Sequence, residues 1–150
     1  MTMSEVDAFL ESTLPGLIAA ETAIHNGDNH QRIAMWSRHD PITLFGAARS
    51  SQGWDGVHAI FEWMGSRFSN CTSYDLEVVA AGASGELAYI VAIERTTASV
   101  GGEPPSSYAL RSTTIFRREE GEWKVTHRHG DPFDPSSAQT VSKLDPPSTP

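Results

Sequence analysis

Residues 86–129 read ELAYIVAIERTTASVGGEPPSSYALRSTTIFRREEGEWKVTHRH, and this stretch decides the fold class. Residues 86–98, 108–118 and 123–129 are rich in β-branched and aromatic residues, and turn-forming Gly, Pro and Glu separate them. A similar segment, residues 74–81, comes just before them. Consecutive strands joined by short connections predict an antiparallel meander of four strands.

The N-terminal third has the apolar spacing of helices. Apolar residues recur at steps of three or four over residues 9–24, and Pro15 with Gly16 predicts a kink or restart there. The string HNGD at 25–28 predicts the end of this helix and the cap of a second helix over residues 29–37. A short hairpin and a third helix, which opens at Gly53, follow. Three N-terminal helices on one face of a curved, mostly antiparallel sheet make an α+β domain.

Composition limits the organisation and the partners. Among 150 residues, 1–131 are expected to form one domain, and the Pro- and Ser-rich residues 132–150 a mobile or surface-lying tail. The single cysteine, Cys71, excludes an internal disulfide and fits the cytoplasm. A net charge of −8 argues against nucleic acid as a partner. No apolar run is long enough for a membrane span, and the N-terminus lacks the basic region of a signal peptide.

The candidate chemistry lies in the last strand. Side chains alternate between the faces of a strand, so Trp123, Val125, His127 and His129 should share one face. Because Trp123 and Val125 should be buried, the two histidines are expected to line a pocket. An imidazole titrates near neutrality and suits general acid–base catalysis, with Asp131 to orient it. The alternative is a structural histidine bonded to Asp131 or to a backbone carbonyl.

A metal site is a second possible role for His127 and His129. Imidazoles two residues apart on a strand can reach one ion, and Asp131 would add an oxygen. No second Cys or His pair has matching spacing, so we expect neither a metal nor a cofactor.

Other residues are candidates for the pocket wall. The strand pattern leaves open whether Arg111 faces inward, where it would pair with Glu94 or Asp131 and hold an anionic or carbonyl ligand. Tyr108 or Arg111 would stabilise a developing oxyanion. Small-molecule sites are concave and largely apolar, and aromatic walls are expected from Trp36, Phe45, Trp54 and Phe61.

Several strings carry a family resemblance: HNGD at 25–28, WSRHDPITLF at 36–45, GWDG at 53–56, LRSTTIFRR at 110–118 and GEWKVTHRHGD at 121–131. Over residues 4–131 the chain resembles the SnoaL-like and ketosteroid-isomerase-like branch of the nuclear transport factor 2-like superfamily. The resemblance implies a cone-shaped α+β barrel with an apolar cavity at one end, and a homodimer packed through the outer sheet face. It does not extend to the ketosteroid isomerase base, because Leu44 or Phe45 stands where that family carries it.

Two functions therefore compete. The first is a dehydratase, cyclase or isomerase that acts on a small, partly apolar carbonyl or acid compound through His127 or His129. The second is a non-catalytic ligand-binding or dimeric accessory domain, since this scaffold serves both roles. A third is an interaction module whose cavity is filled by its own side chains. The first two require the histidines to face a hollow.

Overall fold

A computed structural model describes residues 3–134. In chain order, its elements are α1 (Glu5–Ile24), α2 (His30–Met35), β1 (Thr43–Phe45), β2 (Ser50–Gln52), α3 (Trp54–Arg67), β3 (Phe68–Ser84), β4 (Leu87–Val100), β5 (Ser106–Glu119) and β6 (Glu122–Phe133).

The strands form one six-stranded sheet in the order β2-β1-β6-β5-β4-β3. Strands β3 to β6 are the predicted antiparallel meander, and the β1–β2 hairpin joins it through a parallel pairing of β1 with β6. The α+β class is therefore confirmed. The sheet is open rather than closed into a barrel, because β2 and β3 each have a neighbour on one side only.

Helix α1 begins where Ser4 caps it, since the Ser4 hydroxyl accepts the backbone N–H of Asp7 at 3.2 Å. A restart of the helix at Pro15 is wrong, because α1 continues through Pro15 to Ile24. Proline removes the hydrogen bond to the carbonyl four residues earlier, here that of Glu11. Pro15 and Glu11 both lie on the exposed side of α1, so solvent can replace the lost donor.

The predicted junction between α1 and α2 is present, although α2 ends at Met35 rather than at residue 37. Gly27 has φ of +87°, a left-handed conformation that a side chain would strain. The N-cap residue of α2 is Asn29 rather than the predicted Asp28. The Asp28 carboxylate, one residue earlier, accepts the backbone N–H of His30 at 3.0 Å.

The core lies between the helices and the inner face of the sheet, and its character changes along α1. Near the start of α1, Phe9 packs edge-to-face on Phe116 of β5, with ring centroids 5.1 Å apart. Near the end of α1, Glu21 and His25 are also buried. The interior is therefore apolar at one end and polar at the other.

The last strand runs beyond the predicted domain boundary at residue 131. Pro132 pairs with Leu110 and Phe133 with Ala109, so both belong to β6 rather than to a tail. Phe133 also lies under the guanidinium of Arg111, 5.7 Å from its ring centroid. The Pro-rich composition had concealed this end of the strand. Residues 135–150, the rest of the predicted tail, lie outside the described residues.

Candidate functional site

A β-bulge in β6 decides which side chains face the interior. Phe116 of β5 pairs with Val125, while Ile115 pairs with His127, so Thr126 is an extra residue in β6. Val125 faces inward before the bulge. After it, the inward positions are Arg128 and Gly130, both buried.

His127 and His129 consequently face outward, and the expectation that they share a face with Val125 is wrong. One additional residue shifts the alternation of the strand by one. His127 Nδ1 lies 2.7 Å from the Thr43 hydroxyl, and both imidazoles contact the ring of Phe45, at centroid distances of 5.5 and 5.7 Å. Phe45 is itself 47% exposed. Partial burial and the neighbouring His129 lower the pKa of His127.

Asp131 and Arg111 also lie on the outer face, on the same side as these histidines. An Arg111 nitrogen donates to Asp131 Oδ2 at 2.7 Å, and the two side chains are 41% and 46% exposed. Asp131 therefore pairs with a guanidinium instead of orienting an imidazole. The outward direction of Arg111 settles the choice that the strand pattern left open.

The aromatic residues that were predicted to line the pocket lie in other parts of the molecule. Trp36 and Phe61 pack edge-to-face in the core, with centroids 5.3 Å apart. Arg38 covers the half-buried Trp54, and Phe45 lies on the outer face. Among the candidate ligand contacts, only Tyr108 and Glu94 project from the inner face of the sheet into its polar end.

That polar end contains a buried cluster of four charges: Glu21, Arg32, Glu94 and Arg128, each no more than 7% exposed. Arg32 pairs with Glu21, and Arg128 Nη1 lies 2.8 Å from Glu94 Oε2 and 4.0 Å from Glu21. Two positive and two negative charges make the cluster neutral. Because the interior has a low dielectric constant, loss of any one of these side chains would leave an uncompensated buried charge.

The surroundings of Glu94 keep it ionised. Burial opposes ionisation, but the positive charge of Arg128 and hydrogen bonds from Ser112 and Tyr74 hold the pKa of Glu94 well below its usual range. The Tyr74 hydroxyl donates to Glu94 Oε1 at 2.6 Å. Burial lowers the basicity of Arg128, yet Glu94 and Glu21 together raise its pKa. The two partners thus stabilise each other's charged forms.

Next to this cluster, His25 contacts Tyr108. His25 Nδ1 lies 2.7 Å from the backbone carbonyl of Glu21, and Nε2 is hydrogen-bonded to the Tyr108 hydroxyl. Burial lowers the pKa of His25, which favours the neutral ring, and burial raises the pKa of Tyr108 to about 12.

A cavity of about 120 Å³ lies between α3, the turn at residues 46–49 and the inner faces of β5 and β6. Its apolar lining comes mainly from Leu44, Ile60, Trp63, Met64, Phe68 and Leu110. Its charged and hydroxyl-bearing side chains are Arg32, Arg49, Tyr108 and Arg128. Three of these four are arginines, which can only donate.

One arginine nitrogen among the residues that line the cavity lacks any partner. In the described part of the chain, three buried side-chain atoms have no hydrogen bond of good geometry: Arg32 Nε, Arg128 Nη1 and Glu94 Oε2. The last two lie 2.8 Å apart and pair with each other as ions. Buried donors are normally satisfied, so Arg32 Nε is the donor that still needs an acceptor.

Sequence reasoning missed Glu21, His25, Arg32 and Arg128. A signal existed for Glu21, because it continues the apolar stripe of Leu17 and Ile24 at helical spacing. A charge within such a stripe predicts a buried partner. His25 carries the same signal, because it lies four residues beyond Glu21 in the same stripe. Arg128 was hidden by the bulge, and nothing in the local pattern distinguishes Arg32.

Two further findings concern metals and membranes. Over residues 3–134, no group of three His, Cys, Asp or Glu side chains is arranged to hold a metal ion. None of the helices in that range is long and apolar enough to span a bilayer.

Comparison with solved structures gives matches along most of the chain. A candidate dehydratase of the nuclear transport factor 2-like family from Streptomyces avermitilis has a TM-score of 0.71 and 18% identity, over 85% of this chain and 97% of the other. A ketosteroid isomerase-like protein from Erwinia carotovora atroseptica SCRI1043 has a TM-score of 0.67 and 19% identity, over 84% of this chain and 97% of the other. A nuclear transport factor 2-like protein of unknown function from Pseudomonas putida KT2440 has a TM-score of 0.66 and 25% identity, over 94% of this chain and 99% of the other.

A search of curated proteins found no match. The family model for the SnoaL-like domain matches residues 18–133, which include the polar half of α1, the cavity and the whole meander. This chain therefore belongs to the SnoaL-like domain family, within the nuclear transport factor 2-like superfamily.

Proposed function

We propose that this domain binds a small, partly apolar compound that carries a carbonyl or carboxylate group, inside the cavity beside Arg32 and Arg128. The observation that carries the proposal is the polar side of that wall, where Arg32, Arg49 and Arg128 offer only donors and Arg32 Nε has no hydrogen-bond partner. An oxygen acceptor on the ligand would satisfy Arg32 Nε, whereas a hydrocarbon would leave it unpaired.

The size of the cavity limits the ligand. An apolar cavity of about 150 Å³ in another protein accommodates benzene, and this one has about 120 Å³. A compound with one six-membered ring, or an aliphatic chain of similar bulk, is therefore the appropriate class. The apolar part would contact Ile60, Met64 and Leu110.

Charge allows either a carbonyl or a carboxylate. The four buried charges cancel, so a neutral carbonyl can approach without an uncompensated field. Arg49 adds a positive charge to the lining, where its guanidinium lies 4.1 Å from the ring centroid of Trp63. This additional charge favours an anionic ligand over a neutral one of equal size.

The proposal is tested with three probes of similar shape: toluene, cyclohexanone and benzoate. Binding is measured by ligand-observed NMR on the full chain. Both oxygen-bearing probes should bind more tightly than toluene, because they supply the acceptor. Equal or tighter binding of toluene would show that the arginine nitrogens do not select the ligand.

A cavity-filling variant locates the binding. A Cβ at Gly130 would lie 3.5 Å from the Leu110 side chain and 3.9 Å from Arg128 Nη2, so the backbone tolerates a side chain there. Gly130→Leu should abolish binding of both oxygen-bearing probes. Thr113→Leu adds apolar bulk to the outer face of β5 and should leave binding unchanged. Loss in both variants, or in neither, would argue against this cavity as the site.

A catalytic form of this function needs a proton donor or acceptor that touches the ligand. His127 and His129 lie on the outer face, so they are poorly placed for that role. Tyr108 lines the cavity. A non-catalytic binding role needs only the arginine donors.

A further inference from the structure

We propose that Arg49 determines which ligand this cavity takes, and that the ligand is an oxo acid with its carbonyl and its carboxylate at opposite ends of an apolar body. The carbonyl oxygen accepts from buried Arg32 Nε, and the carboxylate pairs with Arg49 at the solvent side of the cavity. The inference rests on the proposed function, because it requires a ligand in this cavity. It narrows the ligand class from a compound with either group to a compound with both.

Arg49 lies where the cavity meets solvent. It belongs to the turn at residues 46–49, which joins β1 to β2 and lines the cavity. Residues 47–49 are exposed, whereas Arg32 and Arg128 of the same lining are only 3% and 7% exposed. The turn therefore forms the mouth of the cavity, and the two buried arginines form its inner end.

The turn fixes the position of Arg49. The backbone N–H of Gly46 donates to the Arg49 carbonyl at 2.8 Å, which closes the turn. A Cβ at Gly46 would lie 2.8 Å from that same carbonyl oxygen, so a side chain there would force the turn apart. The guanidinium lies over the indole of Trp63, with its Cζ 4.1 Å from the ring centroid. Because Trp63 also lines the cavity, this contact holds the positive charge at the mouth.

The guanidinium of Arg49 is free to bind an anion. Among residues 3–134 it forms neither an ion pair nor a side-chain hydrogen bond. Arg111, by comparison, is also partly exposed but pairs with Asp131 at 2.7 Å. Contact with Trp63 uses the flat face of the guanidinium and leaves the N–H groups along its edge available. Those groups form a fork that matches the two oxygens of a carboxylate.

The inner end of the cavity favours a neutral acceptor. Arg32 already pairs with the Glu21 carboxylate, and its Nε is left without a hydrogen-bond partner. A carboxylate placed beside Arg32 would add a third negative charge to a buried cluster that has two positive ones. Removing such a group from water without a new cation is unfavourable. A carbonyl oxygen accepts the hydrogen bond and leaves the cluster neutral.

The two ends of the cavity together set the direction of the ligand. Its apolar body lies against Ile60, Met64 and Leu110, between the inner end and the mouth. A volume of about 120 Å³ limits that body to a single six-membered ring. The carbonyl and the carboxylate therefore belong on opposite carbons of the ring, where one group points to the buried donor and the other to solvent and Arg49.

The test compares three six-membered rings: cyclohexanone, cyclohexanecarboxylate and 4-oxocyclohexanecarboxylate. Dissociation constants are measured by ligand-observed NMR on the full chain. The oxo acid should bind about 10-fold more tightly than either ring with one group, since each group adds a hydrogen bond with a charged side chain. Equal affinity for the oxo acid and cyclohexanecarboxylate would show that no buried donor takes the carbonyl. Equal affinity for the oxo acid and cyclohexanone would show that no cation takes the carboxylate. Either result would overturn the inference.

Substitution of Arg49 tests the mouth of the cavity. The readout is the ratio of the affinities for the oxo acid and cyclohexanone, because a general disturbance of the cavity would weaken both. Arg49→Gln should lower this ratio about 10-fold and remove its decrease with added salt. Arg49→Lys keeps the charge and should recover part of the ratio and its salt dependence.

Arg38→Gln is the matched control. The Arg38 guanidinium likewise lies over a tryptophan, 4.6 Å from the ring centroid of Trp54, but Arg38 does not line the cavity. This variant should keep the wild-type ratio. An unchanged ratio in Arg49→Gln, or an equal fall in Arg38→Gln, would overturn the role of Arg49.

The probes distinguish this inference from the proposed function. Tighter binding of cyclohexanone than of toluene, with no further gain for the oxo acid, would leave the binding function standing and remove Arg49 from ligand recognition. Absence of binding by all three rings would overturn the binding function, and the oxo acid with it.

Discussion

Replacing Arg128 with methionine should be among the most destabilising changes in this domain. The Arg128 side chain is 8% exposed, and its nitrogen lies 2.8 Å from a Glu94 carboxylate that is 4% exposed. Methionine fills much of the same volume but leaves Glu94 without its cation. Removal of one member of a buried ion pair costs about 3–5 kcal/mol of folding free energy.

Protonation of Glu94 limits the loss of folding free energy in Arg128→Met, because the folded variant can neutralise this carboxylate instead of burying it as an ion. Neutralising a carboxyl of pKa about 4.3 at pH 7 costs about 3.7 kcal/mol, at 1.36 kcal/mol per pH unit. If Glu94 takes that route in Arg128→Met, its folded pKa lies above its unfolded value. The variant should then recover about 1.4 kcal/mol for each unit that the pH falls from 7 towards 5, relative to wild type.

Urea denaturation at pH 7 and pH 5 measures both effects. With a slope near 2 kcal/mol per molar urea, the pH 7 midpoint should fall by about 2 M. Arg111→Gln breaks the exposed pair with Asp131 and should cost only about 0.2–1 kcal/mol. Adding Glu94→Gln to Arg128→Met should restore stability, because it removes the unpaired charge and leaves Glu21 with Arg32. Equal costs for Arg128→Met and Arg111→Gln, or no rescue by Glu94→Gln, would refute a buried ionic cluster.

Four other predictions follow from positions described above. Gly27→Ala should lower stability by at least about 1 kcal/mol in urea unfolding, because φ is +87° there and the added Cβ would lie 3.2 Å from the Gly65 carbonyl oxygen; Gly16→Ala, in the exposed part of α1, is the control. Ala substitution of both His127 and His129 should leave benzoate affinity unchanged, and a large loss would return these rings to the site. Below pH 6.5 the stability of wild-type protein should decline, since the unfolded chain protonates at His25 before the folded one does; His25→Gln should lose that component. We propose that the outer sheet face forms a homodimer, so Tyr89→Glu should give a monomer by light scattering, and an unchanged mass would exclude that surface.

The α+β class could be predicted from local patterns because each pattern is repeated many times. Four strands with turn signals, and a helix with apolar residues at regular steps, leave few arrangements open. The uninterrupted α1 could not be predicted from Pro15 alone. Its cost depends on whether the carbonyl that loses its donor faces solvent, and that direction is a property of the packed helix.

The site was harder to predict than the fold, because its residues come from five elements and one of them contains a bulge. The alternation of inward and outward side chains holds up to Val125 and reverses after Thr126. Nothing in the sequence around Thr126 indicates that it is an extra residue. Tyr108 and Glu94 were named as candidates without a face, because the alternation along β5 did not show which side is the inner one. Arg128 reads as a solvent-exposed strand residue until Glu21 and Glu94 are brought next to it.

The extra residue in β6 also affects how knowledge passes between homologues. A relative with a regular strand would have one residue fewer between the positions equivalent to Val125 and Arg128. An alignment that places the resulting gap at the following loop, instead of at Thr126, would match its cavity-lining side chain to His127 or His129 of this chain. Functional residues transferred through that alignment would fall on the opposite face of the sheet. The gap must therefore be placed from strand pairing rather than from sequence similarity.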